Sequence, residues 1–472
     1  MSGRSWNSRA KSIASTGAVV LSRVGHAWVG AEAGRQLLSG VDIVLDGGRV
    51  TAIGEDAVRP DGARVIDASN WLVLPGLVNA HHHLSQQLTR TLAPAGNVFD
   101  WLAECYPIWA RLTADTALPG ARIGLAELLL AGVTTTADLS YFFPRGHEDI
   151  YDAQIQAASD VGIRILAIRG GMRDVGPEVR RMIGGEVDAA VESPETLLTE
   201  LERVTGAYHD EDPSAMVRVG VGLTEPLWNE PRLMRELAEF ADHHALALHT
   251  HLHPRPSDRD AHTRRGVSGA LEELGWWHDR LWVAHGTNLS DDELTEMRTA
   301  GIALANCPSS NARLATPIAP AWKLHRLGGT VALGVDGAGS SDSGDLLGEA
   351  RLAWQLQRIA SGGRGDAGLL TPGVALEWAT SGGAAALGWP GLGELSTGGL
   401  ADLACFDLSG VDFVGTADPL DALILCGLSH RASLVVVGGR IVVEDGHLTT
   451  ADEAVLAGDG RRAAALLNAR NR

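Results

Sequence analysis

Histidine and aspartate recur at separated points of this chain, in positions that suit a bound divalent ion. Residues 81–90 read HHHLSQQLTR, directly after the apolar run WLVLPGLVNA. His81 and His83 are two apart, so on an extended segment they share a face while His82 turns away. In LALHTHLH the same period puts His249, His251 and His253 on one face, with Leu248, Thr250 and Leu252 on the other. His285 closes the run LWVAH, and Asp336 closes TVALGVD. Any one of these histidines alone is an ordinary polar residue; their shared position at the ends of apolar runs is the signal. Imidazole nitrogen and carboxylate oxygen together suit zinc or iron(II), and three or four protein ligands leave a position open for water. Such an ion lowers the pKa of that water toward ~7 and supplies hydroxide at neutral pH. A structural zinc would instead favour a closed, thiolate-rich cluster, and Cys105, Cys307, Cys405 and Cys426 form no C-x-x-C pair. The expected cofactor is one divalent metal ion, zinc first and iron(II) as the alternative.

These residues need elements that bring them together. Apolar runs ending in polar residues occur at 133–140, 163–171, 216–225, 246–253, 281–288, 301–308 and 330–337, and with WLVLPGLVNAHHH they make eight. Helical stretches separate them, as in EPRLMRELAEFADHH, where Leu233, Leu237 and Phe240 follow the 3.6 period. Eight alternating β and α units predict a closed (β/α)8 TIM barrel, whose functional groups sit at the C-terminal strand ends. A doubly wound open sheet is the alternative, but no G-x-G-x-x-G or Walker loop follows a strand. Short strands and glycine turns at 18–70 reappear near the other end, which predicts a small β-sandwich built from both termini. The expected division is an N-terminal extension (1–17), a sandwich (18–70 and 392–450), a barrel (71–391) and a C-terminal helix (451–472).

Composition narrows the function classes. Of 472 residues, 39 are basic and 58 acidic, a formal charge of −19, which would repel nucleic acid and anionic membranes. No apolar run approaches the ~18 residues that span a bilayer. Scattered cysteines fit a reducing cytoplasm. The basic, Ser-rich start lacks the apolar core of a signal peptide.

Five segments together carry a resemblance: LPGLVNAHHHL, LHTHLH, VAHGTNL, CPSSNARL and VALGVDGAGSSDSGDLL. With them the chain resembles the amidohydrolase superfamily from about residue 18 to 450. It is most similar to the branch of cytosine/guanine-type deaminases and triazine hydrolases. HHHLSQQLTR, FDWLAECYPIW and CPSSNARL look most like 8-oxoguanine and isoxanthopterin deaminases, whereas GLSHRASLVVVGGRIVVEDG is equally similar to the triazine hydrolases. The resemblance implies a metal-dependent hydrolase that removes an amino group from a purine, pterin or triazine-like ring, and dimeric assembly. It implies metal ligands at His81, His83, His251 and Asp336. Asp336 would be general base, His285 would bond the water or polarise the leaving group, and His249 would support a ligand or pack.

One position departs from that family. Its H-x-x-E glutamate, the usual proton shuttle, falls on Pro254, which holds no proton. Another acid then substitutes, with Glu225 first and His253 and Asp258 as further candidates. Otherwise the bond attacked is a different one (a ring amide or carbon–halogen bond), or the chain only binds a ligand. A smaller departure is Ser341, where related sequences often carry Asn. A ring substrate also needs polar readers and a flat wall. Gln86 and Arg90 follow the first strand, Trp101, Tyr106 and Trp109 could stack, and of Asn311 and Arg313 after the seventh run, Arg313 is the expected contact.

Overall fold

The computed structural model describes residues 17–30, 35–172, 180–182, 188, 191–226, 229–253, 266–362, 368–427 and 429–469. Eight parallel strands follow one another around a barrel in chain order: Leu77–Asn79, Val133–Ser140, Arg164–Arg169, Val217–Leu223, Leu248–Leu252, Leu281–His285, Ala303–Asn306 and Val331–Leu333. They are called barrel strands one to eight below. The Ala80 N–H donates to the Leu333 carbonyl at 2.9 Å, bringing strands one and eight together. Strands two and three are buried along their whole length, as parallel strands covered on both faces must be.

The helices between strands have local reasons to start and stop. Ser290 and Glu293 form a reciprocal capping box at the start of Asp291–Ala300, and Gly301 ends that helix in the left-handed region (φ 75°). Pro231 opens Pro231–His243, which buries Leu233, Met234, Leu237, Ala238 and Ala241; Phe240 is only half-buried. No described helix is long and apolar enough to cross a membrane.

Two further sheets come from the chain's ends. One has four strands, ordered Arg49–Gly54, Val41–Asp46, Val19–Val24 and Arg64–Asp67. The other has seven and joins Trp71–Pro75 antiparallel to Leu403–Asp407. Leu21, Ile43, Leu45, Val73, Leu403 and Val436 share a second core between them. The run WLVLPGLVN, read above as one strand, is therefore two. Trp71–Pro75 belongs to the seven-stranded sheet, and the chain crosses into the barrel at Gly76. A Cβ there would meet the Thr134 side chain at 2.1 Å, so only glycine fits. Arg164 and Asp402 tie the two parts together through a buried pair of bonds at 2.8 and 2.9 Å.

Candidate metal centre

His81 and His83 lie just past strand one, which Asn79 locks to its neighbours. The Asn79 Oδ1 accepts from Val335 N–H and its Nδ2 donates to Thr136 Oγ1, both at 2.9 Å. Beyond the histidines, Leu84 N–H donates to Asp138 Oδ1 at 2.7 Å. His251 is the last residue but one of strand five, His285 ends strand six and Asp336 follows strand eight. Both His285 (φ 67°) and Asp336 (φ 60°) adopt left-handed backbone, a strained state for non-glycine residues that concentrates where side chains must be aimed. Gly337 N–H and the Ser340 hydroxyl fix the Asp336 carboxylate at 2.7 and 2.8 Å.

Four strand ends thus converge. The Nε2 atoms of His81 and His83 stand 3.2 and 3.3 Å from Asp336 Oδ1, and His285 Nε2 is 3.9 Å from Oδ2. His83 Nε2 and His251 Nε2 are 2.9 Å apart. Among the described residues, the ligand atoms of His81, His83 and Asp336, and those of His81, His251 and His285, lie within 4.8 Å of one another.

The proton positions follow from the partners. His83 Nδ1 faces the Leu139 carbonyl at 2.8 Å, and His251 Nδ1 faces the Thr224 carbonyl at 2.5 Å. Carbonyls only accept, so both Nδ1 atoms carry the proton and both Nε2 atoms present lone pairs. Two lone pairs at 2.9 Å repel unless a cation lies between them. His81 Nε2 is likewise buried without a hydrogen-bond partner. Burial, then neighbouring imidazoles, pushes the basicity of His83 down to about 3, and burial lowers His81 and His251 too, so neutral rings are the resting state. Against its burial, the Asp336 carboxylate is stabilised by the two donors that reach it, Gly337 N–H and the Ser340 hydroxyl. Three neutral imidazoles and one carboxylate with converging lone pairs fit a divalent cation.

Other expected residues divide into two groups. A cavity of ≈ 260 Å³ opens over the cluster, lined by Gln86, Trp101, Tyr106, Glu225, His253, His285 and Asn311 among others. Trp101 is fixed by its indole N–H to the Gly339 carbonyl at 2.8 Å, and His253 Nδ1 lies 3.0 Å from Thr287 Oγ1. Pro254 and Asp258 lie outside the described residues. Arg90 and Arg313, expected to read a ring edge, do not line this cavity. Arg90 pairs with Glu127 and faces a separate groove with His430 and Arg431. Arg313 is held by Asp342 Oδ2 and the Leu92 carbonyl, both at 2.7 Å. Trp109 is buried behind the wall, its indole N–H on Thr89. Ser341 bonds the Gly337 carbonyl at 3.1 Å and shapes its own turn.

Asn311, passed over above in favour of Arg313, accepts from His285 Nδ1 at 2.9 Å. Tyr141 and Thr224 were missed outright. Each follows directly on a barrel strand, so the strand-end rule that found the histidines would have found them. His249 stands apart from the cluster, with its Nε2 2.8 Å from His81 Nδ1.

Comparison with known proteins agrees with this geometry. Residues 72–442 match the amidohydrolase family. The chain is 39% identical to 8-oxoguanine deaminase of Pseudomonas aeruginosa over 434 residues, 90% of this chain and 94% of that one. It is 32% identical to isoxanthopterin deaminase of an unknown prokaryotic organism, over 90% and 91% of the two chains. The zinc complex of atrazine chlorohydrolase from Arthrobacter aurescens superposes with a TM-score of 0.87 at 32% identity, covering 94% and 100%.

Proposed function

Since the chain belongs to the amidohydrolase family, we propose that it is a metal-dependent aminohydrolase that removes an amino group from a flat N-heterocycle of the purine, pterin or triazine kind. The observation that carries this reading is the convergence of lone pairs from His81, His83, His251 and Asp336 beneath a cavity with aromatic walls. Zinc is the proposed ion, on the donor chemistry and on the zinc bound by the chlorohydrolase it resembles. An ion held by these residues would make water nucleophilic at neutral pH, which the side chains alone do not.

The rest falls to the chain's own groups. Asp336, its carboxylate held by Gly337 N–H and the Ser340 hydroxyl, takes the proton from the attacking water. His285, its Nδ1–H anchored on Asn311, offers Nε2 to that water and aims it at the ring carbon. Glu225 then carries a proton to the departing amine, the task for which Pro254 is unfit. Trp101 and Tyr106 form the flat wall, and Gln86 reads the ring edge. The cavity suits one fused bicyclic ring and is small beside the ~300–1,000 Å³ of drug-sized sites. Dimeric assembly and a cytoplasmic setting belong to the same reading, on resemblance and on four unpaired cysteines.

A second reading, hydrolysis of a carbon–halogen bond, is favoured by Pro254 and by the likeness to the chlorohydrolase. Zinc-loaded protein should be incubated with purines, pterins, amino-triazines and chloro-triazines while ammonia and chloride are measured. Ammonia release from a bicyclic substrate is the expected result. Chloride release alone would replace deamination by the second reading, and a blank panel with metal bound would overturn both.

A further inference from the structure

We propose that His249 and Trp282 form a clamp that selects which nitrogen of His81 faces the metal, making both of them positioning residues for a ligand they support from below. The proposal rests on the metal-dependent reading above and adds to it the part of the chain that sets one ligand's tautomer.

His83 and His251 are fixed by backbone carbonyls, which can only accept. His81 is different, because its Nδ1 meets another imidazole, whose nitrogens can either donate or accept. The ambiguity is removed one step further out. His249 Nδ1 lies 2.9 Å from the Trp282 carbonyl, so the proton of that ring is on Nδ1. With that proton on Nδ1, the other nitrogen, Nε2, is the acceptor that faces His81 Nδ1 at 2.8 Å. His81 Nδ1 must then donate, and His81 Nε2, which has no partner of its own, carries the lone pair toward Asp336 and His83. The order of the relay is Trp282 carbonyl, His249, His81, metal position.

Trp282 also closes the arrangement mechanically. Its indole stacks on the His249 ring, with centroids 4.2 Å apart and planes at 17°. Its indole N–H donates to the carbonyl of Ala80, the residue before His81, at 2.9 Å. One side chain therefore holds the backbone from which His81 projects and the ring against which His81 leans. Both residues are fully buried, so neither touches substrate.

The test uses the full chain loaded with cobalt(II) or zinc and reads metal binding, not turnover. Proton NMR of the cobalt(II) protein should show one exchangeable, paramagnetically shifted imidazole N–H for each of His81, His83 and His251, since coordination through Nε2 leaves Nδ1–H in place. His249→Phe should remove the His81 signal and weaken zinc binding about 10- to 100-fold in a chelator competition. His249→Gln, whose amide oxygen can accept from His81, should restore most of the affinity and the signal. Trp282→Phe, which keeps the carbonyl and the stacking but frees Ala80, should cost only a few-fold. Parent-like affinity and spectrum in His249→Phe would overturn the clamp. So would absence of the His81 N–H from the parent spectrum, which decides the matter even where His249→Phe does not fold. If the parent took up neither metal, the aminohydrolase reading would fall with it. Normal uptake without the His81 signature defeats the clamp alone.

Discussion

At Pro254 the chain has no proton to offer, so the carrier must come from other groups that line the cavity. Among the described residues, Glu225 and His253 are the expected carriers that line it, and they differ in chemistry. Glu225→Gln keeps shape and hydrogen bonding while removing the exchangeable proton. It should lower kcat about 10²–10⁴-fold with little change in KM or metal content. Steady-state kinetics on the ammonia-releasing substrate checks this. If Glu225→Gln stays within a few-fold of the parent and His253→Gln collapses, the carrier is the imidazole. The strand-end rule and ligand chemistry made the candidate clusters legible in the sequence. The choice of His251 over His249 and His253 came only from the family resemblance, since period 2 puts all three on one face. The choice between Asn311 and Arg313 was not legible, because it depends on helix phase. Two residues along a helix differ by about 200°, so one faces the cavity while the other faces Asp342 and Leu92.

The short helix Pro308–Arg313 shows how a supporting element can report on pH. Its Ser309 N–H donates to Glu349 Oε2 at 3.0 Å, and Glu349 is buried on the helix Leu346–Ala360. Burial pushes the Glu349 carboxyl up from its ordinary 4.5 to about 8. The folded chain therefore keeps a proton that the unfolded chain releases. Its stabilising effect is whole below pH 4.5 and is lost as pH rises through 8, by at most about 1.4 kcal/mol per pH unit. Glu349→Gln retains the acceptor without the titration. Urea midpoints at pH 5 and pH 8 should show the variant gaining on the parent by more than about 1 kcal/mol across that interval; parallel pH profiles would refute it. Most strands were readable from apolar runs with polar ends. The run through Gly76 was not, because periodicity identifies a strand without saying which sheet receives it.

Across the whole molecule, the buried Arg164–Asp402 pair joins barrel strand three to the loop before Leu403–Asp407. Removing one partner leaves a buried charge uncompensated. Asp402→Ala should therefore destabilise the protein by about 3–5 kcal/mol, measured by denaturant unfolding. A loss below about 1 kcal/mol would show that the two parts are held by apolar packing alone. The two β-rich ends of the sequence did announce sheets made from both termini, and the pattern of glycine turns is the reason. Their pairing with Trp71–Pro75 depends on contacts more than three hundred residues apart in sequence, which no local pattern encodes.

That pairing limits how the enzyme can be cut down. Trp71–Pro75 is zipped to Leu403–Asp407, and the chain reaches His81 only a few residues after leaving that zipper. Trimming either end to obtain a bare barrel would fray the stem from which the first two histidines hang. A minimal fragment would need a new splice at this crossing, and omission of the flanking sheets would not suffice.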